Sequence, residues 1–292
     1  MRKVTDIFRE KQRTFSFEVF PPKTDKGMDS LRETLKRMER LPFDYASVTY
    51  GAGGSSRDRT FAIARELQEE HGLPALHHFT CVAHSKDEVG SILDSIKACG
   101  IFNVLALRGD PPKDDPAWKP GPEHFKYSSE LVEFIKSRYD GTFAVGVAGF
   151  PEAHPLAPSR DFDADVLKRK IDAGGDFVVT QLFFDNRDYF AYVERARSRG
   201  VAVRIIPGIL PITSYEGAVK FCAGCGASVP REVHDIFRPI AEDKDRTLEA
   251  GIAYAVRQCR ELLDRGAPGI HFYALNKSEP VGAILRELQT GR

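Results

Sequence analysis

The sequence lacks the features that mark secreted, membrane-spanning and nucleic-acid-binding proteins. Its five cysteines in 292 residues are an odd number at irregular spacing, so they make no disulfide framework and fit a reducing compartment. No apolar run approaches the ~20 residues of a membrane span, and the charged N-terminus MRKVTDIFREKQR has no signal-peptide core. Lys plus Arg and Asp plus Glu both total 42, without a basic stripe. We therefore expect a soluble cytoplasmic protein that binds neither nucleic acid nor membranes.

Two common cofactor and metal signatures are also missing. No GxGxxG motif follows the first predicted strand, which argues against a Rossmann dinucleotide site. The only close cysteine pair, Cys222 and Cys225, ends a predicted helix, whereas a redox motif would open one, and no second pair completes a zinc site. A helix end followed by glycine is the simpler interpretation, and we expect no metal site.

Strand-like and helix-like segments alternate along the chain without a linker or a change in composition. We predict eight strands, at 14–20, 44–50, 74–82, 101–108, 143–150, 176–184, 203–210 and 269–275. Regular alternation implies parallel strands with right-handed crossovers, and eight such units close into a barrel. The sequence therefore predicts an α/β protein: one (β/α)8 TIM barrel domain over 1–292, with a short N-terminal helix and a helical insertion at 226–248 before the last unit. An open doubly wound sheet is the alternative.

The first strand carries the strongest functional signal. The segment TFSFEVFPPK alternates so that Phe15, Phe17 and Val19 share one apolar face while Glu18 lies on the other. The following prolines remove backbone donors and end the strand, so Glu18 lies near its carboxyl end, where α/β folds build their sites. A carboxylate in such apolar surroundings is costly unless it is paired, protonated or used in chemistry.

Other predicted strands also end in polar residues. In LRGDPP, Arg108 and Asp110 have the same parity, so they either pair with each other or face one ligand; the intervening glycine and the prolines favour a rigid turn that a ligand approaches closely. Gln181 lies within the apolar run TQLFF, as a satisfied core amide or as a ligand contact. His77 and His78 are adjacent, so one should point into the barrel and the other toward the helices.

Two further segments could bind anions. Gly51, Gly53 and Gly54 form a glycine-rich turn after the second strand, where backbone amides can face an anion, although this signal is weak alone. The basic triplet 168–170 in DADVLKRKIDAGG is by its pattern a solvated helix face.

Taken in order, the strand-end motifs resemble those of one enzyme family. FSFEVFPPK, VTYGAGG, LRGDPP, AGFPEAHP, TQLFFD, IIPGILP and HFYALNK are similar to methylenetetrahydrofolate reductases of the bacterial flavoprotein type, from about Thr14 to Leu288. The resemblance implies a barrel that holds FAD without a Rossmann fingerprint, with NADH or NADPH and a folate using the same flavin face in turn, in one-carbon metabolism. The chain stops after the eighth unit, so we expect no regulatory domain and no control by adenosylmethionine.

The resemblance also assigns site residues, motif by motif. Val166 replaces an asparagine of some bacterial members, so one polar contact to FAD should be missing, and Lys277 replaces an arginine, which keeps the charge but loses the planar fork. FAD contacts are implied for Thr49, His78, Arg108, Asp110, Tyr127, Ala148, His154, Asp163, Arg169 and Lys170. Folate contacts are implied for Glu18, Asp110, Gln181, Phe221, Tyr273 and Lys277.

The implied reaction assigns catalytic roles to Glu18 and Asp110. Methylenetetrahydrofolate must be protonated before its ring opens to an iminium cation, and we expect Glu18, held among phenylalanines, to have a raised pKa and to donate that proton. Asp110 would stabilise the cation. The expected function is FAD-dependent reduction of 5,10-methylenetetrahydrofolate with NAD(P)H by a homo-oligomer. The alternatives are the same reduction driven by an electron-transfer protein, or a non-catalytic flavin- or folate-binding barrel.

Overall fold

The structure is a computed structural model that describes residues 2–50, 57–112 and 115–290. Its strands are β1 (Thr14–Val19), β2 (Tyr45–Val48), β3 (Ala75–Thr80), β4 (Asn103–Leu107), β5 (Ala144–Gly149), β6 (Phe177–Leu182), β7 (Arg204–Ile209) and β8 (Gly269–Tyr273). Its helices are α1 (Val4–Glu10), α2 (Asp25–Met38), α3 (Arg57–Glu69), α4 (Lys86–Ala98), α5 (Ser128–Tyr139), α6 (Arg160–Asp172), α7 (Asn186–Ser198), α8 (Tyr215–Cys225), α9 (Arg231–Phe237), α10 (Lys244–Asp264) and α11 (Ser278–Thr290).

The eight strands form a closed parallel barrel in chain order. β1 pairs with β2 on one side and with β8 on the other, in a register that runs from Thr14 opposite Gly269 to Glu18 opposite Tyr273. The predicted (β/α)8 fold is confirmed, and the doubly wound alternative is wrong. Each predicted strand is present but shorter by one to three residues, because terminal residues that we included belong to the adjoining loops.

Apolar residues on the outer faces of the strands pack against the surrounding helices, which forms the main core. Phe17 of β1 is fully buried, and its ring lies 4.6 Å from that of Phe43. Inside the barrel, α1 closes the amino-terminal end: Phe8 lies edge-on to Phe177 at 5.3 Å, and the amide of Val4 donates to Oδ1 of Asn103 at 2.7 Å. One end is therefore sealed, and ligands must enter from the carboxyl ends of the strands.

The predicted helical insertion consists of α9 and a short 3-10 helix, Arg238–Ile240. It follows α8, which ends at Cys225 with Gly226 in the left-handed conformation. Both cysteines of the CAGC segment are free, and burial raises the pKa of each thiol, to about 12 for Cys222. The helix-end interpretation of this pair is confirmed.

Within residues 2–50, 57–112 and 115–290, no helix combines the length and the apolar character that crossing a lipid bilayer would need. The predicted anion-binding glycines Gly51, Gly53 and Gly54 lie outside the described residues.

Candidate active site

Glu18 lies at the carboxyl end of β1 and points into the open end of the barrel. The alternation of β1 fixes this direction, because Phe17 and Val19 are fully buried on the helix side. The strand end is clamped by Asn276, whose side-chain amide accepts from the backbone N–H of Phe20 at 3.0 Å and donates to its carbonyl at 2.9 Å. The side chain of Glu18 keeps 17% exposure, so the carboxylate is held rigidly but remains reachable from the mouth.

Three polar residues from three other strands surround this carboxylate. Nε2 of His78 on β3 lies 3.3 Å from Oε2 of Glu18, and Nε2 of His271 on β8 lies 3.8 Å from the same oxygen. Ser47 on β2 is the strand neighbour of Glu18. As predicted for adjacent histidines, His78 points into the barrel while His77 packs against Phe61 of α3, with ring centroids 5.2 Å apart. The surroundings of Glu18 are therefore polar and rich in imidazole.

The predicted raised pKa of Glu18 is wrong for this structure. Burial acts to raise the pKa, but the nearby imidazole of His78, the His271 ring and the Ser47 hydroxyl act to lower it, and the net pKa lies below its usual value. Burial also lowers the pKa of His78, which Glu18 offsets only in part. The expectation failed because the phenylalanines of β1 face the helices. Glu18 is consequently a carboxylate at neutral pH.

The LRGDPP turn brings the end of β4 close to β3. Gly109 has φ of +86°, and a Cβ there would lie 2.6 Å from Cγ1 of Val82 and 2.9 Å from Cβ of Thr80, so only glycine fits. The predicted rigid turn is confirmed. Arg108 and Asp110 do not pair with each other, although the structure describes both: Nε of Arg108 donates to the carbonyl of Gly109 at 3.2 Å, and Asp110 is exposed. Both side chains are available to a ligand.

Lys170 is a buried cation beside β5. It is 8% exposed, and its Nζ donates to the carbonyl of Ala148 at 3.0 Å. Burial lowers the pKa of Lys170 to about 8, and it raises the pKa of Asp163, a buried neighbour on the same helix. Asp163 in turn accepts from the backbone N–H of His154 at 3.3 Å. The sequence pattern predicted that all of residues 168–170 face solvent. This prediction is wrong for Lys170, which shares the inner face of α6 with Leu167.

Exposed apolar side chains lie on α6 and on the segments that follow β4 and β5. The guanidinium of Arg169 lies 5.7 Å from the ring centre of Phe162, which is 45% exposed. Tyr127, which precedes α5, is 62% exposed, and Leu156 is 70% exposed. Val166 also lies on α6 and offers no polar atom in its side chain. Arg169 and Lys170 thus supply cations on α6, and Phe162 and Tyr127 supply exposed rings.

β6 and β8 contribute Gln181 and Tyr273. The ladder between β6 and β7 shifts register between Val179 and Leu182, and within this irregularity Oε1 of Gln181 accepts from the N–H of Leu182 at 2.8 Å. Gln181 is only partly buried. The hydroxyl of Tyr273 donates to the carbonyl of Thr180 at 2.8 Å, so this group already has a partner and the ring itself remains for a ligand.

The last two predicted contacts come from outside the strands. Phe221 lies on α8 and is 38% exposed, an unusual position for a phenylalanine. Lys277 follows β8 and is exposed, with its Nζ donating to Oγ1 of Thr213 at 3.2 Å. The predicted site residues therefore all lie on the carboxyl ends of the strands or on the segments that follow them.

Unsatisfied polar atoms on β3 fit a large polar cofactor. Nε2 of His78, which approaches Glu18 without hydrogen-bond geometry, and Oγ1 of Thr80 are both buried and have no hydrogen-bond partner. Their alternation on β3 directs both into the barrel, and Thr49 directly follows the neighbouring β2. A flavin with its ribityl and phosphate groups would satisfy such atoms and the buried Lys170. Among the residues that the structure describes, no cluster of three or more His, Cys, Asp or Glu side chains could hold a metal ion.

Sequence reasoning missed three residues around Glu18: Ser47, His271 and Asn276. The available signal was parity, because His271 and Tyr273 lie on the same face of β8, two residues apart. A histidine on the inner face of a strand should have been examined together with Glu18.

Comparison with known proteins shows similarity along nearly the whole chain. Residues 3–289 match the family model described as methylenetetrahydrofolate reductase. The chain is 37% identical over 276 residues to 5,10-methylenetetrahydrofolate reductase of Escherichia coli, covering 94% of this chain and 90% of that protein. It is 35% identical over 295 residues to methylenetetrahydrofolate reductase (NADH) 1 of Arabidopsis thaliana, covering 98% of this chain but 50% of that protein. The chain thus spans about half the length of the plant relative.

A solved structure also shares the fold. An uncharacterized protein from Clostridium thermocellum, described as binding two copies of 5-methyl-5,6,7,8-tetrahydrofolic acid, superposes with a TM-score of 0.65 at 13% identity, over 98% of this chain and 97% of that one. At this identity the likeness concerns the barrel fold alone.

Proposed function

Because this chain belongs to the methylenetetrahydrofolate reductase family, we propose that it reduces 5,10-methylenetetrahydrofolate to 5-methyltetrahydrofolate, using FAD and a nicotinamide coenzyme in alternating half-reactions. The observation that carries the proposal is the arrangement at the barrel mouth. A rigid carboxylate, Glu18, faces the open end, unsatisfied polar atoms of His78 and Thr80 lie on β3, and a buried lysine lies on α6 beside β5. The methyltetrahydrofolate bound by the structurally similar protein from Clostridium thermocellum agrees with such a ligand.

FAD would be held on the β2 to β6 side of the mouth. Lys170 and Arg169 would neutralise its phosphates, and the buried His78 would offer its free nitrogen. When bound, FAD would supply hydride to the folate after taking hydride from the nicotinamide. The proposed contacts are Thr49, His78, Arg108, Asp110, Tyr127, Ala148, His154, Asp163, Arg169 and Lys170.

Glu18 would transfer the proton that opens the folate ring. It would protonate N10, the C–N bond would break, and the methylene carbon would become part of an iminium cation on N5. Since the pKa of Glu18 is low in the ligand-free protein, the carboxylate must first take up a proton. A ligand that covers its remaining exposed surface would raise the pKa by removing water, which makes protonated Glu18 a property of the complex.

The remaining polar contacts would orient the folate and stabilise its charge. Asp110 is exposed at the mouth, where a negative charge stabilises a cation that forms nearby. Gln181 has a side-chain N–H2 for the pterin, while its oxygen is held by Leu182. Phe221 and the ring of Tyr273 offer flat surfaces, and Lys277 offers a charge for the substrate's glutamate.

The electron donor, assembly and location remain predictions. We propose NADH or NADPH as the electron donor, because relatives are named for NADH in Arabidopsis thaliana and for NADPH in Caenorhabditis elegans. We propose one catalytic barrel domain that self-associates and acts in the cytoplasm. Size-exclusion chromatography with light scattering would test the self-association.

An anaerobic experiment tests the function. Purified protein should be yellow with an FAD spectrum, NADH or NADPH should bleach it, and methylenetetrahydrofolate should restore the colour with formation of methyltetrahydrofolate. A flavin that neither coenzyme reduces, but that reoxidises with the folate after chemical reduction, would favour a protein electron donor. A colourless protein without affinity for FAD would refute the proposal.

A further inference from the structure

A histidine without a role in the proposed reaction lies directly beneath Glu18. His271 on β8 is 1% exposed, and the hydroxyl groups nearest to its ring belong to Ser16 and Ser47, which are 1% and 0% exposed. Nδ1 of His271 lies 2.8 Å from Oγ of Ser16. Nε2 lies 3.4 Å from Oγ of Ser47 and 3.8 Å from Oε2 of Glu18. The ring thus spans the barrel interior between a serine and the carboxylate.

This geometry favours one tautomer of His271. A neutral imidazole has one N–H donor and one acceptor nitrogen. If Nδ1 carried the proton, Nε2 would direct its lone pair toward the negatively charged carboxylate of Glu18. If the hydroxyl of Ser16 donates to Nδ1, Nε2 carries the proton and presents an N–H to the carboxylate and to Ser47. The second arrangement is favoured electrostatically, so Ser16 fixes the orientation of the N–H bond.

We propose that His271 is a positioning residue for Glu18: with Ser16 it holds an N–H beneath the carboxylate and stabilises the charged form of the proton donor. The inference rests on the proposed function for its role in catalysis, but the interaction itself is a property of the ligand-free protein. His271 acts only through Glu18, since its burial keeps it from touching a substrate at the mouth.

The other groups that face Glu18 differ from His271 in position. His78 approaches from β3 and is 7% exposed, with an unpartnered nitrogen available to a ligand. Tyr273 approaches from β8, and burial together with the charge of Glu18 raises its pKa well above the usual value, so it is neutral. Ser47 on β2 does not titrate. Of the two imidazoles, only His271 has a serine hydroxyl near each ring nitrogen and no access to ligands.

The contrast between asparagine and glutamine at position 271 tests the proposal. In His271→Gln the terminal amide reaches the place of Nε2 and keeps a donor for Glu18. In His271→Asn it reaches only the place of Nδ1 and loses that donor. The measurement is a carbon-13 NMR titration of labelled glutamate in protein without FAD or folate, with the Glu18 signal assigned by its loss in Glu18→Gln.

We expect His271→Asn to raise the pKa of Glu18 by about one unit, because the charged carboxylate loses a donor. His271→Gln should restore most of the shift, and Ser16→Ala should give a smaller rise because the ring is no longer fixed. His71→Asn is the control, since His71 pairs with Glu39 at 2.8 Å away from the mouth and should leave Glu18 unchanged. An unmoved Glu18 titration in folded His271→Asn overturns the proposal; if that variant does not fold, an unmoved titration in Ser16→Ala does so.

The catalytic consequence is read from the holoenzyme. The pH dependence of folate reduction should shift upward in His271→Asn by the same amount as the Glu18 titration, while flavin reduction by NADH stays within twofold. Equal losses in both half-reactions without a pH shift would mean a purely structural role and would contradict the proposal. A moved titration in a protein that does not reduce folate would refute the proposed function and leave the positioning role intact.

Discussion

The hydroxyl of Tyr273 on β8 donates a 2.8 Å hydrogen bond to the carbonyl of Thr180 on β6, across the strand that lies between them. The intervening position is Gly208 on β7, where a Cβ would lie 2.3 Å from the Thr180 oxygen and 2.7 Å from the Tyr273 ring. Because Gly208 has no side chain, the hydrogen bond between Tyr273 and Thr180 can form across β7. This bond ties Tyr273 to the irregular part of β6 that carries Gln181.

Gly208→Ala should therefore destabilise the barrel and weaken folate binding. The added methyl group must displace a backbone carbonyl and an aromatic ring, and overpacking of this kind costs about 1–3 kcal/mol. Urea unfolding measures the loss of stability, and the KM for folate reports the displaced Tyr273 and Gln181. Gly224→Ala on α8 is the control, because a Cβ there has no neighbour within 4 Å. Equal stability of the two variants would contradict the close approach.

Glu18→Gln should separate the two half-reactions. Glutamine keeps the shape of the side chain but cannot donate the proton, so folate reduction should fall by about 10²–10⁴-fold while flavin reduction by NADH changes little. Anaerobic stopped-flow absorbance measures both rates. Glu66→Gln serves as a matched control, because Glu66 is another largely buried glutamate, 8% exposed, but it pairs with Arg32 outside the mouth. Similar losses in both half-reactions would make Glu18 structural.

Asp110→Asn should slow folate reduction more than flavin reduction. The substitution removes a negative charge close to the developing cation but keeps the side-chain size. Loss of one such interaction typically costs about 2.7–4 kcal/mol, or roughly 10²–10³-fold in rate. Single-turnover kinetics with pre-reduced enzyme isolates this step. If the folate step is unchanged, Asp110 has no part in the reaction.

Lys170 should make the free energy of unfolding increase as the pH rises into the alkaline range. Its pKa of about 8 in the folded protein lies below the unfolded value of 10.5, so the unfolded chain binds more protons between these values and stability rises with pH there. Relative to Lys170→Met, the wild type should gain about 2 kcal/mol between pH 7.5 and 9.5. Urea unfolding of the wild type and of Lys170→Met, both without FAD, gives the difference in their free energies of unfolding at each pH. The titration of tyrosines and cysteines is common to both proteins and cancels in this difference. A constant difference would show that Lys170 is not desolvated.

Phe221→Ala should weaken folate binding without affecting the nicotinamide half-reaction. An exposed ring that stacks on a substrate contributes about 0.5–1.5 kcal/mol, which corresponds to roughly 2–12-fold in affinity. Steady-state KM values for the two substrates distinguish the effects. Leu156→Ala, which removes another exposed apolar side chain, should leave the KM for folate unchanged. An equal rise of the KM for folate in Phe221→Ala and Leu156→Ala would point to a general disturbance of the mouth.

The barrel and the direction of Glu18 were predictable because they depend on local patterns. Strand and helix periods, the two prolines after Phe20 and the alternation of β1 are all contained in short segments. The pKa of Glu18 was not predictable in the same way, since it depends on His78 and His271, which other strands bring to the carboxylate. Their contribution follows from strand register, which the sequence does not state.

The burial of Lys170 is an intermediate case. The buried residues of α6 are Asp163, Ala164, Leu167 and Lys170, which follow helical spacing, so the position of Lys170 on the inner face was visible in the sequence. Its charge suggested solvent instead. The helical spacing therefore predicted the burial of Lys170, which the basic composition of the triplet concealed.

The pairing of Glu18 with Tyr273 joins the second structural element of the chain to the last strand. On the ribosome, β1 emerges long before β8, so the edge of β1 must wait unpaired while almost the whole nascent polypeptide is made. Glu18 consequently acquires its neighbours His271 and Tyr273 only at the final step of barrel closure. Synthesis that terminates before β8 would yield a chain with an open sheet edge, exposed to aggregation and unable to catalyse the reaction.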